Sequence, residues 1–511
     1  MRNAGVLMIL RALLICLFVM MPSVSHAEWR KATSDHFIIY GDMTDDRLRG
    51  FAERVEKFDA LLRMLTGATP EASPNKLVIF AVRDTAAVQR VIGKVGGNIA
   101  GFYSPGIAGS IAVTPKSFGS GGKFSADSDT ILFHEYAHHF MLQYFAAGYP
   151  AWYVEGFAEY YSTTDFKFDG SIAVGLPAYH RAGSLVNLAP YPVDRMFAAD
   201  ATKLSNEETA RFYGYAWLMT HYLSFEPTRK GQLTTYLKAF AKGIPAEKAA
   251  KDAFGDAATL QADLKRYLNA NRISYRKITG LTFPPANITT EAVTPAESIL
   301  MPLYIRFMND SNRQEEIDSF VEDIRKESVR FPSEPRAFEM LAEGELDAKQ
   351  FAAATKANDA FLALRPTDAR GLLRRARIAA AIMRDDDSFP GGWKAVRSLV
   401  IKANRAAPDD PFPLMEYHDT FRQEGIRPPS IVGDGLNRAL ELAPQVPNLR
   451  FALANYLINT DKRGEARAVL APLLNNPHSP GMRDAARAML ARAEPVAPAD
   501  KPTTSAAEGS K

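Results

Sequence analysis

The sequence predicts two structural classes in one chain: an α+β domain in the first half and an all-α helical repeat in the second. Three observations lead to this prediction. Strand-like and helix-like segments alternate in the first half, the second half is enriched in Ala, Leu and Arg, and prolines recur there at a nearly regular spacing. Hydrophobic residues make up 47% and charged residues 23% of the 511 positions, as in ordinary globular domains.

Residues 1–27 have the features of a segment that is removed before folding. A basic start precedes an apolar run, Ala12–Met21, which is followed by a helix-breaking Pro22 and a small-x-small ending at Ala27. These features are typical of a secretory signal peptide cut after Ala27. An uncleaved membrane anchor is the less favoured alternative, because the apolar run is too short to span a bilayer comfortably. We therefore expect a secreted or periplasmic protein, with membrane contact only through this segment if it stays uncleaved.

Cysteine usage and net charge narrow the possible chemistry. The only cysteine, Cys16, lies inside the signal segment, so the mature chain has no disulfide framework and no thiol chemistry. Any metal site must then use His, Asp and Glu side chains. The net charge is +3 with no basic run, which makes nucleic acid a poor candidate for a partner.

Residues 28–278 are predicted to form the α+β domain. The segment HFIIYG reads as a strand, and TDDRLRGFAERVEKFDALLRMLTG reads as an amphipathic helix that ends at Gly67. NKLVIFAVR is a second strand and TAAVQRVIG a short helix. IAGFYSPGIAGSIAVTP then forms two extended segments around a Pro-Gly turn.

Residues 299–493 are predicted to form the repeat domain. The prolines that close its helical pairs have successive spacings of 34, 42, 36 and 33, and they are Pro332, Pro366, Pro408, Pro444 and Pro477. A period near 34 with Ala and Leu at helical spacing is the tetratricopeptide signature, and such helix pairs are stable only when they stack. A generic helical array with coincidental prolines is the alternative. The longest spacing is attributed to an extended loop at residues 385–392.

Two further segments have the composition of connections. Residues 279–298 contain three prolines and many threonines, which predicts a linker between the two domains. Residues 494–511 are rich in Pro, Ala and Ser, which predicts a disordered tail.

A candidate metal site lies in the helical segment TILFHEYAHHF. His134-Glu135-Tyr136-Ala137-His138 fits the pattern H-E-x-x-H. Positions i and i+4 share one helix face, so both imidazoles can reach one ion, and Glu135 would lie beside that ion without binding it. Asp127 or Ser128 would cap the helix. The alternative is a polar patch on an ordinary helix. A helix this apolar is expected to be buried, however, and buried charged or polar side chains are costly unless they are paired or bind a metal.

A second polar group follows in the segment YPAWYVEGFAEYY. Pro150 can begin a helix that places Glu155 and Glu159 one turn apart on the same face. Zinc in hydrolases usually has three protein ligands and one open position, so a carboxylate from this helix would complete a two-His, one-Glu site. Glu159 could then accept a hydrogen bond from the other nitrogen of a ligand histidine and fix its tautomer.

Together, HEYAHHF and WYVEGFAEY resemble the gluzincin metallopeptidases of the thermolysin-like clan, and in particular the peptidase-MA-like family, whose second motif runs Trp-x-x-Glu-Gly-x-Ala-Glu. The resemblance covers about residues 75–225. It implies a thermolysin-like metallopeptidase domain in which His134, His138 and Glu155 bind Zn²⁺ and Glu135 is general base and acid. Sixteen residues separate His138 from Glu155, slightly fewer than in the large aminopeptidases of the clan, which shortens the loop between the helices.

The resemblance also implies a downstream helix whose tyrosine stabilises the developing oxyanion. The segment FYGYAWLMTHYL matches that helix and places Tyr213 in this catalytic role; packing among neighbouring aromatic residues is the alternative. We interpret His221 as structural and His139 as a packing residue or one that supports the ligands, and we identify no partner for His180. The segment GSIAVTP is a candidate edge strand along which an extended peptide substrate would pair.

These observations predict a zinc-dependent peptidase in which a zinc-activated water attacks a peptide carbonyl, Glu135 is the base, and the repeats bind a substrate or a protein partner. The alternative is a repeat-based protein-binding scaffold with an inactive or structural zinc domain. A purely structural zinc would not need Glu135 placed as a base, which counts against that alternative. A third hypothesis keeps the hydrolase chemistry but changes the substrate to a non-peptide amide, such as a cell-wall component.

Overall fold

The computed structural model describes residues 29–69, 71–92, 99–116, 126–198, 204–270, 272–309, 316–476 and 479–493. The predicted signal peptide, the predicted tail and Pro477 lie outside these residues. The described chain divides into two compact units. The first contains the described residues of Met1–Gly119 and Phe283–Ala406, and the second contains those of Ser120–Thr282 and Ala407–Lys511. The predicted border between the α+β domain and the repeats therefore does not coincide with a border between two continuous units.

Strands and helices are numbered here in chain order. The strands are β1 (Arg30–Thr33), β2 (Phe37–Gly41), β3 (Leu77–Val82), β4 (Phe102–Ser104), β5 (Ile111–Pro115), β6 (Asp165–Phe166), β7 (Ile172–Val174), β8 (Arg276–Ile278) and β9 (Thr289–Ala292). The helices of the first half are α1 (Asp45–Thr66), α2 (Thr85–Ile92), α3 (Ser128–Tyr144), α4 (Ala151–Ser162), α5 (Ala182–Val186), α6 (Val193–Ala198), α7 (Asn206–Phe225), α8 (Gln232–Ala241), α9 (Ala246–Phe254) and α10 (Ala257–Leu268). The helices of the second half are α11 (Pro295–Met308), α12 (Ile317–Arg330), α13 (Pro335–Asp347), α14 (Phe351–Leu364), α15 (Ala369–Asp386), α16 (Gly392–Ala406), α17 (Pro411–Glu424), α18 (Ser430–Leu442), α19 (Pro447–Asn459), α20 (Arg463–Leu470) and α21 (Pro480–Ala493). Among the described residues, no helix combines the length and the apolar character needed to cross a membrane.

The first unit contains a mixed six-stranded sheet in the order β4-β5-β3-β2-β1-β9. β2, β3 and β5 are parallel to one another, and the other three strands run antiparallel to their neighbours. The predicted helix between β2 and β3 is present as α1, and the residue that follows it, Gly67, has φ 73°, a left-handed conformation that glycine adopts without strain. The α+β character predicted for this part of the chain is confirmed, whereas a thermolysin-like fold stays a prediction.

The expectation of a free edge at β5 is wrong. β5 pairs in parallel with β3 on one side and antiparallel with β4 on the other, where Phe102 lies opposite Val113. The Pro-Gly turn predicted between the two extended segments folds β4 back along the edge that a peptide would have used. Backbone pairing of a substrate at β5 would require β4 to leave the sheet.

The predicted linker, residues 279–298, is only partly a free connection. Residues 279–288 have no regular structure and lead from the second unit to the first. Thr289–Ala292, however, forms β9, which pairs antiparallel with β1. The next helix already begins at Pro295, four residues before the predicted start of the repeats. Thr-rich segments favour extended backbone, and here that backbone completes a sheet.

The second half of the described chain is helical and repeat-like, as predicted. Within each unit, successive helices pack against each other. A proline stands two residues after the end of α12, α14, α16 and α18, and these prolines are Pro332, Pro366, Pro408 and Pro444. Proline disfavours helical backbone in the residue before it and lacks the amide hydrogen that a helix needs, so it ends each pair. An acidic side chain two residues further on caps the next helix in three cases, at Glu334, Asp368 and Asp410.

The longest proline spacing comes from a longer helix as well as from a loop. α15 has 18 residues and extends to Asp386, so it includes two positions of the predicted loop at 385–392. Asp387 then ends the helix with φ 53°. Asp tolerates this left-handed conformation better than most residues with a side chain, which explains why an acidic run can stop the helix.

Candidate metal centre

Three packed helices of the second unit carry the candidate site. α3 holds the H-E-x-x-H segment, α4 packs against it with the second motif, and α7 packs against α4. Asp127 caps α3, because its carboxylate accepts a hydrogen bond from the Thr130 amide at 2.7 Å. Pro150 directly precedes the first turn of α4, as predicted. Trp152 anchors that helix, since it is fully buried and stacks on Tyr236.

The three predicted zinc ligands lie together. Nε2 of His134 and Nε2 of His138 are 3.1 Å apart. Each of these nitrogens is 3.7 Å from Oε2 of Glu155. The Glu155 side chain is fully buried, and His138 is 5% exposed. Two helices thus direct three ligand atoms into one small triangle.

The size of this triangle fits zinc. Tetrahedral coordination with Zn–N and Zn–O bonds of about 2.0–2.1 Å separates ligand atoms by about 3.3–3.4 Å. The three separations of 3.1, 3.7 and 3.7 Å lie close to that value. Neutral imidazole and carboxylate are also among the ligand types that zinc accepts. The residues present therefore fit the metal that the sequence predicts.

Glu159 supports the first of these histidines. It lies one turn after Glu155 on α4 and is fully buried. Its Oε1 is 3.4 Å from Nδ1 of His134, the ring nitrogen that faces away from the ligand triangle. A carboxylate at Nδ1 favours the tautomer that carries the proton there and leaves the lone pair of Nε2 directed at a metal. This is the position that the sequence predicts for Glu159.

Two residues that the sequence analysis did not assign hold the Glu159 carboxylate from the other side. His180 Nε2 lies 2.9 Å from Oε2 of Glu159. Arg181 donates to Oε1 from Nε at 3.1 Å and from a terminal nitrogen at 2.5 Å. Both residues belong to a 3₁₀ turn, Tyr179–Arg181. The loop position without a partner that the sequence suggested for His180 is wrong, because the residue lies in this turn and its partner is Glu159.

The charges around Glu159 determine its protonation. Burial by itself would raise the pKa of this carboxyl group, but the Arg181 guanidinium and the hydrogen bond from His180 hold it well below its ordinary value. The pKa of Arg181 is in turn raised, because the attraction of Glu159 outweighs the effect of burial. The buried Glu159 and the partly exposed Arg181 therefore form an ion pair with charge-assisted hydrogen bonds.

Glu135 and Tyr213 complete the predicted set. Glu135 is half-buried on α3, next to His134. Tyr213, on α7, lies beside His134 with ring centroids 6.3 Å apart and ring planes inclined by 17°. Burial raises the pKa of Tyr213 well above its ordinary value, and the charge of Glu155 raises it further, against the opposing effect of Arg181. Its hydroxyl consequently stays protonated and can act as a hydrogen-bond donor.

Two further histidines on these helices, His221 and His139, are buried. His221 is fully buried on α7, where Nε2 is 2.8 Å from the carbonyl oxygen of Gly175 and Nδ1 is 2.8 Å from the Tyr267 hydroxyl. Burial lowers the pKa of His221 to about 4, so the ring is neutral near pH 7. His139 is buried on α3 with its ring near Tyr136. The structural interpretation of His221 is confirmed by these contacts.

Within the described part of the chain, a second group of potential ligand atoms occurs in the first unit. His36, Glu56 and Asp59 each offer an atom within 4.8 Å of the others. Glu56 accepts the His36 amide at 3.0 Å and lies 2.7 Å from Nδ1 of the same residue. Asp59 accepts a hydrogen bond from Nε of Arg63 at 2.6 Å. The carboxylates of this group are thus engaged with cationic or N–H groups of the chain itself.

Comparison with known proteins adds little to this description. No family model matches the sequence, and no curated protein matches it. One similar solved structure is the crystal structure of TTC0263, a thermophilic TPR protein of Thermus thermophilus. It is 20% identical, covers 38% of this chain and 99% of its own, and has a TM-score of 0.33. A similarity this low is not a basis for assigning a function, so the candidate function depends on the geometry of the site.

Proposed function

We propose that this protein is a zinc-dependent hydrolase of peptide bonds. The observation that supports the proposal is the triangle of His134, His138 and Glu155, whose ligand atoms have the separations expected for zinc, with Glu135 beside it on the same helix. A structural zinc site normally has four protein ligands, whereas three ligands leave a position for substrate or water. The resemblance to gluzincin metallopeptidases supports peptide as the substrate class.

The residues of the chain would divide the chemistry among them. His134, His138 and Glu155 would hold a Zn²⁺ ion, which supplies Lewis acidity by polarising a substrate carbonyl and lowering the pKa of water. Glu135 would take the proton of the attacking water and deliver it to the leaving amine. The protonated hydroxyl of Tyr213 would donate a hydrogen bond to the oxyanion that develops on the carbonyl oxygen. Glu159 would keep His134 in the correct tautomer.

The first test is the metal content of purified residues 28–511 beside that of a Glu155→Ala variant. We expect about one zinc per chain in the wild type and a large loss in the variant, since two ligands hold zinc poorly. If neither protein retains zinc after incubation with the metal, the proposed function is wrong.

The second test separates metal binding from catalysis. Glu135→Gln keeps the size of the side chain but removes the base, so this variant should retain zinc and lose cleavage of an internally quenched peptide library. Glu247→Gln, an exposed residue in the first turn of α9, is the matched control and should keep full activity. Full activity in Glu135→Gln would contradict the proposed role of Glu135.

Protein binding by the helical repeats is a second candidate function. It is favoured by the regular helix pairs of each unit, α12–α16 in the first and α17–α20 in the second, because stacked pairs present extended surfaces that suit peptides and proteins. This function can coexist with hydrolysis or replace it. Under the replacement hypothesis the zinc site would be inactive, and partner binding would not depend on it.

Cross-linking of the full-length protein would separate these possibilities. Glu135→Gln and Glu155→Ala variants would be cross-linked to co-purifying proteins, and the linked residues identified by mass spectrometry. A scaffold role predicts the same cross-links in both variants, located on α12–α20. Cross-links that depend on Glu155 or that concentrate around α3 and α4 would instead identify a substrate.

A further inference from the structure

The turn that carries His180 and Arg181 has no assigned role in the proposed reaction, yet both of these side chains are directed at one carboxylate. That carboxylate, Glu159, lies 21 residues before His180 in the chain. It is fully buried, whereas the Arg181 side chain is 28% exposed and the His180 side chain 12%. Burial of a lone carboxylate is strongly unfavourable, so a positively charged partner is expected. Two donors that bind the two oxygens separately do more than neutralise the charge, because they also fix the orientation of the carboxylate group.

Arg181 and His180 bind different oxygens of the Glu159 carboxylate, and this fixes the orientation of the carboxylate. Arg181 donates twice to Oε1, and His180 lies against Oε2. Oε1 is also the oxygen that faces Nδ1 of His134 at 3.4 Å. If the carboxylate rotated, Oε1 would leave Nδ1, and the imidazole would lose the group that fixes its tautomer and ring plane. The contacts therefore form a chain from Arg181 through Glu159 to a ligand histidine.

Arg181 also contacts the candidate oxyanion donor. The carbon at the centre of its guanidinium lies 5.1 Å from the centroid of the Tyr213 ring. A guanidinium near an aromatic face is attracted to it, and this contact restrains the position of the ring. One side chain is thus in contact with the support of His134 and with Tyr213.

We propose that Arg181 and His180 are positioning residues of the metal centre, which lock the Glu159 carboxylate against His134 and so set the affinity for zinc. The proposal rests on the proposed function only in assuming that His134, His138 and Glu155 bind zinc. Loss of such supporting contacts behind a ligand typically weakens metal binding by about 10- to 100-fold.

The test is zinc affinity measured by competition with a chromophoric chelator, together with the visible spectrum of the cobalt-substituted protein. Arg181→Met keeps much of the side-chain length but removes all N–H donors, so Oε1 loses both of its hydrogen bonds from this residue. We expect zinc binding about 10- to 100-fold weaker and an altered cobalt spectrum. Arg181→Lys retains a charge but not two parallel donors, and should give an intermediate affinity. His180→Gln can still donate and should bind zinc more tightly than His180→Ala.

A matched control excludes a general effect of removing a partly buried, ion-paired arginine. Arg229 pairs with Asp263 elsewhere in the same unit, and both side chains are 12% exposed. Arg229→Met should lower stability without changing zinc affinity or the cobalt spectrum. Thermal unfolding of each metal-free variant shows whether it folds, and if Arg181→Met does not, Arg181→Lys and the two His180 variants carry the test.

The possible outcomes are distinct. If the wild type binds no zinc, the proposed function has failed before this proposal is tested. If the wild type binds zinc and Glu155→Ala does not, but folded Arg181 and His180 variants bind with wild-type affinity and unchanged cobalt spectra, the positioning role is overturned. Weakened binding restricted to these variants, and absent from Arg229→Met, supports it.

Discussion

Gly156 packs against Thr220 with no room for a side chain between them. A β-carbon at position 156 would lie 2.6 Å from the carbonyl oxygen of Ala216 and still closer to Oγ1 of Thr220. α4 and α7 are therefore in direct backbone contact one residue away from the candidate ligand Glu155. The glycine in the second motif fixes the distance between the helix that carries Glu155 and the helix that carries Tyr213.

Gly156→Ala should separate these two helices. Alanine favours helix over glycine, but the added methyl group must push backbone atoms apart, and overpacking of this kind costs about 1–3 kcal/mol. We expect a lower unfolding temperature of the metal-free protein and weaker zinc binding, because Glu155 moves with α4. Thermal unfolding and a zinc titration measure the two effects.

Gly50→Ala is the matched control for this substitution. Gly50 lies within α1, and a β-carbon there would have no neighbour within 4 Å. The change should therefore stabilise the protein by about 0.5–1 kcal/mol, the usual advantage of Ala over Gly in a helix. If Gly156→Ala raised stability in the same way as Gly50→Ala, the close approach of α4 and α7 would not be the reason for the glycine.

Tyr213→Phe distinguishes the two interpretations of this residue. The substitution keeps the ring beside His134 and removes only the hydroxyl. If the hydroxyl stabilises the oxyanion, kcat for peptide cleavage should fall by about 10²- to 10³-fold with zinc content unchanged. Tyr215→Phe, at a buried position of the same helix, serves as the control and should leave kcat unaltered. A Tyr213→Phe protein with wild-type kcat would show that this tyrosine only packs.

Arg450 links neighbouring repeat helices through hydrogen bonds to backbone carbonyl groups, and its contribution to stability can be measured. It is 5% exposed and donates to the carbonyl oxygen of Pro444, at 3.0 Å from Nε, and to that of Val469 at 2.9 Å. Arg450→Met would leave these carbonyl groups without the guanidinium donors, at a cost of about 1–3 kcal/mol per buried unsatisfied group. The midpoint of urea unfolding should fall accordingly. Arg438→Met, which removes an exposed pair with Asp409, should shift the midpoint little.

The elements that could be predicted from the sequence are those whose signals are local. Gly67 ends α1 by adopting a left-handed backbone conformation, and this depends only on the residues of the last helical turn. Pro332 and Pro366 end helices through their own ring geometry. That three candidate ligands would lie together could also be predicted, because His134 and His138 share a face through the period of a single helix, and Glu155 belongs to a motif of adjacent residues.

What could not be predicted depends on contacts between distant segments. The partner of Thr290 in β9 is Ala32, and no local pattern indicates a pairing across that distance in sequence. β4, and not β5, is the edge strand of the sheet. This too depends on pairing between strands, which a local sequence pattern does not indicate. His180 and Arg181 lie in a short turn that has no helical or strand periodicity. The sequence therefore does not indicate that their side chains contact Glu159. The only available signal was Glu159 itself, since a buried carboxylate requires a cation.

The charges of the His36 cluster (His36, Glu56 and Asp59) make the stability of the first unit sensitive to pH. Burial by itself would lower the pKa of His36, but Glu56 and the charge of Asp59 raise it above its ordinary value of 6.5, against the smaller opposing effect of Arg63. The pKa of Glu56 is lowered from 4.5, because its hydrogen bonds with His36 and Ser34 outweigh burial. The folded state therefore favours the charged forms of both residues.

The sign of the pH dependence follows from these directions. A histidine with a raised pKa in the folded state stabilises the fold fully below 6.5, and that contribution is lost as the pH rises through the folded value. A carboxylate with a lowered pKa stabilises the fold above 4.5, and its contribution is lost as the pH falls through the folded value. The interaction between His36 and Glu56 should thus be strongest between these two values.

A double-mutant cycle of His36→Gln and Glu56→Gln measures that interaction directly. The coupling free energy, obtained from urea unfolding of the four proteins, should be largest near about pH 5.5 and decline toward about pH 9 as the imidazole becomes neutral. Part of it should persist at high pH, because neutral His36 can still donate from Nδ1 to Glu56. A coupling free energy that does not change with pH would mean that His36 is neutral in the folded protein throughout, so that its contact with Glu56 is a hydrogen bond without an ionic contribution.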